Sequence, residues 1–148
     1  MPLKELCSRL GGTFKKRKYD NVEWEVCRIP VKGETPYQKR GSIYEILQEI
    51  SKFAQSELGL EKFSLGTTFG VSKSSSQYEA HIEGKITMEV PENVTAIELE
   101  YNTEEKIYHL TPITKRGRGC TLFFGKYYVG GYCDRNSTSL YTEGGIFF

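Results

Sequence analysis

Two periodicities divide the chain. Between residues 42 and 59, Ile43, Ile46, Leu47, Ile50, Phe53, Ala54 and Leu58 recur at steps of three and four, while Glu45, Gln48, Glu49, Lys52, Gln55 and Ser56 fill the opposite side. That spacing predicts an amphipathic helix. Ser42 followed by Glu45 has the form of a capping box, and Gly59 supplies the exit. A shorter helix is predicted from Leu3, Leu6, Cys7 and Leu10, closing at Gly11-Gly12.

Elsewhere the period is two. Thr13 to Tyr19 and Val22 to Val31 flank Asp20-Asn21 and predict a β-hairpin. In its second arm Val22, Trp24 and Val26 share one face, and Glu23, Glu25 and Cys27 the other. Lys32 to Arg40, with Gly33 and Pro36, reads as a polar connection. From Phe63 onward the chain reads as strands. Tyr78 to Val90 alternates apolar and polar positions without a break, as in a sheet wet on one side. Ile97, Leu99 and Tyr101 alternate in the same way with Glu98 and Glu100, and Lys106 to Ile113 continues the meander. Further strands are expected in Gly119–Val129, Tyr132–Cys133, Ser139–Thr142 and Ile146–Phe148, and a polar loop at Ser72 to Ser76. Gly130-Gly131 suits a tight hairpin loop; that register sets Val129 opposite Tyr132 and keeps Cys120 away from Cys133. The expected fold is therefore α+β, a single domain over residues 1–148. Its antiparallel β-meander sheet carries one long amphipathic helix and is preceded by a short helix and a hairpin.

Composition narrows the class. With 38% hydrophobic and 26% charged residues in 148, a packed core is expected and a disordered chain is not. Net charge of +1 excludes a histone-like protein, and no apolar run reaches the length of a membrane span. The first dozen residues carry charges throughout, unlike a secretory signal, so a soluble, cytoplasmic chain with no membrane partner is expected. Cys7, Cys27, Cys120 and Cys133 contain no C-x-x-C pair, and only His81 and His109 could join them, so neither a metal site nor a cofactor is expected. Disulfides stay open, since intracellular proteins of hyperthermophiles carry them, and the low Asn and Gln content leans towards a thermophilic source.

The net charge hides an asymmetry: residues 1–40 carry net +5, residues 41–110 net −7, and residues 111–148 net +3. Two clusters concentrate the positive charge, Lys15-Lys16-Arg17-Lys18 on the first hairpin arm and Lys115-Arg116-Gly117-Arg118 in a later loop. Eight of the 19 aromatic residues follow the second cluster, among them Tyr127, Tyr128 and Tyr132. Basic loops beside aromatic strands suit single-stranded nucleic acid, charge tracking the phosphates and rings stacking on bases. The plainer account is that basic residues guard an edge strand and aromatics fill a core.

Catalytic candidates are sparse. Asp20, Glu23 and Glu25 supply carboxylates for a metal-dependent phosphodiester hydrolase, although acids alternating on a strand usually mark its wet face. Cys27 has two carboxylates on its face and Cys120 follows two arginines, but neither has a signature of thiol chemistry. His81 and His109 stand among polar neighbours, where a solvated imidazole is expected. The resulting expectation is a small non-enzymatic binding or assembly protein. Its partner would be a second copy or another protein or, in the sharper form, single-stranded nucleic acid held by Lys15, Lys16, Arg17, Lys18, Lys115, Arg116 and Arg118 with Tyr127, Tyr128 and Tyr132. A nuclease is the alternative.

Overall fold

The computed structural model describes residues 2–59, 63–68, 77–82, 86–91, 93–132 and 144–147. Helix α1 (Leu3–Arg9) buries Leu3, Leu6 and Cys7. It ends in a Schellman-type turn: Gly11, at φ 70°, donates to Ser8 O at 3.2 Å, and Gly12 donates to Cys7 O at 2.9 Å. Gly12 is needed for a second reason, since a Cβ there would stand 2.7 Å from Arg28 O and 2.9 Å from Cys7 Sγ. That close approach sets α1 against the hairpin of β1 (Thr13–Tyr19) and β2 (Val22–Pro30). Asp20 and Asn21 both hold positive φ, 51° and 64°, as a two-residue turn matched to the strand twist requires. Here the predicted hairpin is found almost residue for residue.

Helix α2 runs Pro36–Leu58, seven residues longer at its start than the pattern predicts. The cap is Thr35, whose hydroxyl accepts from Gln38 N while the Gln38 side chain accepts from Thr35 N, and Pro36 sits in the first turn. Proline is tolerated there because its missing N–H would have had no helical partner. Ser42, the expected cap, instead accepts from Lys32 N at 2.9 Å, tying the incoming segment to the helix. The apolar stripe is as read: Ile43, Ile46, Leu47, Ile50, Phe53 and Ala54 are buried.

The fold is α+β with an antiparallel, meander-like sheet, as the pattern predicts, and a smaller antiparallel sheet of three strands stands beside it. The smaller joins β3 (Leu65–Thr68), β4 (Gln77–Ile82) and β5 (Ile86–Pro91) in that order. The run from Tyr78 to Val90 is thus a hairpin, Tyr78 opposite Val90, and not one continuous strand; alternation persists across a two-fold register and cannot reveal the fold-back. Helix α2 grips this sheet through buried polar contacts. Ser51 Oγ accepts from Leu65 N at 2.7 Å and donates to Leu47 O at 2.8 Å, while Gln48 donates to Leu65 O at 2.9 Å.

The larger sheet has the order β1-β2-β6-β7-β9-β10-β11, with β6 spanning Val94–Asn102, β7 Ile107–Thr114, β9 Thr121–Phe124, β10 Tyr128–Tyr132 and β11 Gly144–Phe147. The two-residue β8 (Gly117–Arg118) pairs with β7. Gly130 and Gly131 lie inside β10, opposite Phe123 and Leu122 on one side and Gly145 and Gly144 on the other. They are not a hairpin loop; without side chains they let β9 and β11 close on both sides of β10. The register places Tyr132 opposite Thr121, which removes the argument that kept Cys120 at a distance, and Cys120 is disulfide-bonded. Cys133, the loop at Ser72–Ser76 and the strand at Ser139–Thr142 lie outside the described residues.

One face of the large sheet belongs to the core. Cys27, Leu99, Leu110 and Leu122 form a cross-strand row with no exposed surface, joined in one cluster by α1, α2, Phe63, Leu65 and Val90. Cys7 and Cys27 form a disulfide across this contact, closing a loop between residues 20 apart. Cross-linking a loop of that size restricts the unfolded chain by about 3 kcal/mol. The double variant Cys7→Ala/Cys27→Ala should therefore lose about 3 kcal/mol of unfolding free energy in urea. An unchanged midpoint would show that α1 is held by packing alone.

Candidate functional site

The opposite face of the large sheet carries none of the described helices and none of the small sheet. Its rows follow from the register: Arg28–Glu98–Thr111, Val26–Glu100–His109–Phe123 and Trp24–Asn102–Ile107. Glu98, expected on a wet face, is fully buried at the middle of the sheet. Arg28 Nε and Nη2 donate to its Oε2 at 3.0 and 2.8 Å, and Arg118 Nη1 stands 2.8 Å from Oε1. Arg118 also binds Glu100 Oε1 through Nη2. One guanidinium thus spans two carboxylates, and the second cation comes from a strand 70 residues away in sequence.

The electrostatics separate the two acids. Burial works to raise the Glu98 pKa, but hydrogen bonds from Arg118 and Arg28 outweigh it and hold the group below its ordinary value. Glu100 is shifted upwards, first by burial and then by its hydrogen bond to Glu98. Two neighbouring carboxylates resist carrying two full charges, so the second is pushed towards its neutral form.

A band of rings crosses this charge cluster. His109 lies 5.1 Å from Trp24, 5.9 Å from Phe123 and 6.1 Å from Tyr132, measured between ring centroids. The Tyr132 hydroxyl is 3.4 Å from His109 Nδ1. Trp24, His109 and Phe123 are half-buried, and Tyr132 is 43% exposed. His109 is accordingly not the solvated imidazole expected from its neighbours in sequence. Burial, with Arg118 adding to it, lowers its pKa to about 4.

The basic residues split by strand alternation. On β1, Lys15 and Arg17 stand in the rows of Val26 and Trp24, on the face of Glu100 and His109, and the field of Arg17 reaches Glu100. Lys16 and Lys18 stand on the other side, Lys16 Nζ lying 3.6 Å from Glu23. Lys115 and Arg116 are exposed in the β7–β8 turn, which Thr114 Oγ1 fixes by accepting from Arg116 N at 3.2 Å. Arg118, by contrast, is held by carboxylates. On the helix-free face Lys15, Arg17, Arg28 and Arg118 oppose Glu98 and Glu100, leaving a surplus of two positive charges. Tyr132 joins the ring band, Tyr128 lies in β10, and Tyr127 stands apart, 69% exposed in the β9–β10 turn beside Lys126.

The hairpin acids do not converge. Asp20 is in the turn, Glu23 faces Lys16, and Glu25 occupies the row of Tyr101. Among the described residues no group of three His, Cys, Asp or Glu is placed to hold a metal ion. Cys27 is consumed by its disulfide, which removes it as a thiol. Nor is any described helix long and apolar enough to cross a membrane. Sequence reasoning passed over Trp24, Arg28, Glu98, Glu100 and Phe123 as site residues, and it read His109, the sixth, as solvated. The only signal available was that all six lie on alternating strands, and which strands are neighbours is not written locally.

Comparison of the chain with family models, with curated proteins and with solved structures finds no match in any of the three.

The buried imidazole has a measurable consequence. Its folded pKa is depressed from 6.5 to about 4, so the folded state binds fewer protons than the unfolded chain between those values. The associated stability is fully present above pH 6.5 and is lost as pH falls towards 4. An NMR titration should put the His109 midpoint at about 4, and His109→Gln should flatten the loss of stability across that interval. A midpoint at 6.5 would contradict the burial of the ring.

Proposed function

We propose that this protein binds single-stranded nucleic acid on the helix-free face of its large sheet. The observation that carries the reading is the band of half-exposed rings, Trp24, His109, Phe123 and Tyr132, bordered on the β1 side by Lys15 and Arg17. Bases stack on such rings with little regard to sequence, while a flanking row of cations follows the phosphates. The surplus positive charge of the face favours a polyanion over a neutral or basic protein surface, and the turn cations Lys115 and Arg116 extend it beyond β8. Self-association through β1 is disfavoured by the same residues, because two copies of this edge would set cation against cation. A cytoplasmic setting agrees with the Cys7–Cys27 disulfide in an organism whose intracellular proteins carry disulfides, as those of hyperthermophiles do.

The test is fluorescence anisotropy with a labelled oligonucleotide of about 12 nucleotides, a length within the site sizes of sheet-based binders. Affinity should fall steeply between low and moderate salt. Lys15→Ala/Arg17→Ala should flatten the dependence of log K on log salt by about 1.4, as expected for two phosphate contacts on a single strand. Phe123→Ala should weaken binding about tenfold at every salt concentration, the loss of one stacked base. Absence of binding at low salt would refute the proposal.

A further inference from the structure

Binding alone makes no use of the chemistry at the centre of the band. Glu100 on β6 and His109 on β7 are direct cross-strand partners on one face. Arg118 binds Glu100 while its other terminal nitrogen is engaged by Glu98, and Arg28 lies on the far side of Glu98. Both arginine side chains are partly open to solvent, Arg118 42% and Arg28 51% exposed. An imidazole, a carboxyl and a pair of guanidinium groups, set among rings that would hold neighbouring bases, are the groups that an internal phosphodiester cleavage requires. A metal ion is not among them.

Resting on the reading that a single strand lies across this face, we propose that the protein cleaves RNA without a metal, His109 acting as the base and Glu100 as the acid. The 2′-oxygen of one ribose forms a bond to the adjacent phosphorus as the bond from phosphorus to the 5′-oxygen of the next nucleotide breaks. The 2′-hydroxyl proton passes to His109 Nε2. The carboxyl proton of Glu100 passes to the departing 5′-oxygen. The products are a 2′,3′-cyclic phosphate and a free 5′-hydroxyl, and exchange with water returns His109 to imidazole and Glu100 to the acid. No oxidant, reductant or co-substrate enters. His109 Nδ1 lies 3.4 Å from the Tyr132 hydroxyl; the proposed step uses the tautomer with the proton on Nδ1, whose lone pair is on Nε2. Arg118 and Arg28 face the charge that grows on the non-bridging oxygens in the transition state.

The environments agree with these roles. Burial keeps His109 neutral down to about pH 4, while burial and the hydrogen bond to Glu98 raise the Glu100 pKa against the opposing charges of Arg118 and Arg17. Displacing two such groups in opposite directions divides the work of base and acid between them. The charged and titratable groups that face the pair are Arg28 from β2, Glu98 from β6, Arg118 from β8, Lys15 and Arg17 from β1 and the Tyr132 hydroxyl from β10. DNA offers the same bases and phosphates but no 2′-hydroxyl, so it should bind and stay intact.

The experiment is a single-turnover assay in EDTA with saturating protein. It uses a labelled RNA of mixed sequence, the DNA of the same sequence, and the RNA carrying 2′-O-methyl groups. RNA should yield fragments ending in 2′,3′-cyclic phosphate, identified by mass, while the DNA and the methylated RNA are retained uncut. His109→Gln and Glu100→Gln should each slow cleavage at least a hundredfold, the usual contribution of a positioned acid or base. His109→Gln replaces a ring by a side chain of similar reach and does not touch the buried Glu98–arginine cluster, so it serves even if Glu100→Gln fails to fold. RNA that is bound but remains whole would overturn the cleavage proposal and leave the binding surface standing. Cleavage that persists at the wild-type rate in His109→Gln would do the same. RNA, DNA and methylated RNA that all fail to bind would overturn both readings.

Discussion

A carboxylate without any contact with water lies at the middle of the large sheet, and much of the molecule's second face is arranged around it. Glu98 stays ionised there because Arg28 donates to one of its oxygens and Arg118 forms an ion pair with the other. Desolvating such a charge costs several kcal/mol, and an isolated carboxylate in that position would take up a proton instead. The requirement has structural consequences. It draws the Arg118 side chain from β8, which pairs with β7, across to β6, and it holds Arg28 of β2 against the same carboxylate. Packed beside this cluster, Glu100 acquires a raised pKa, and His109 is covered and kept neutral. The long side chains of the arginines and rings thus roof over a row of short buried residues, and a face without helices becomes a built surface.

The opposite face follows ordinary packing. Leucines at the sheet centre, the stripe of α2 and the underside of α1 meet in one cluster, fastened by Cys7–Cys27. Close approach of α1 to β2 at Gly12 brings those sulfurs together, so the disulfide follows from the helix–hairpin contact. The two faces therefore divide labour: one holds the fold by apolar burial, and the other presents charge and rings.

Local signals were enough where local physics decides. The stripe of α2, the positive-φ pair Asp20-Asn21 and the Gly11-Gly12 exit all state their structure within a few residues, and each is found in place. The start of α2 was misplaced because Gly33 and Pro36 look like breakers, whereas the capping pair Thr35 and Gln38 starts the helix at that proline. Gly130-Gly131 looks like a turn because glycine permits one, but strand neighbours on both sides use the same glycines for closeness. The site was the least legible part. Alternation on β6 marks Glu98 and Glu100 as facing away from the leucines, yet it cannot say that Arg28 and Arg118 will cover them. Half of the Lys15–Lys18 cluster was assigned to a face it does not reach, since a strand sends consecutive side chains to opposite sides.

The account stands or falls on whether a nucleic-acid strand lies against the ring band. Trp24 is the only tryptophan in the chain and stands 5.1 Å from His109 at the centre of that band, so its emission reports on this surface alone. Titrating an unlabelled single-stranded oligonucleotide at low salt should quench Trp24 fluorescence in a saturable way, and added salt should restore it. Emission that stays unchanged while the oligonucleotide is shown to bind by another signal would place the ligand elsewhere and contradict the account.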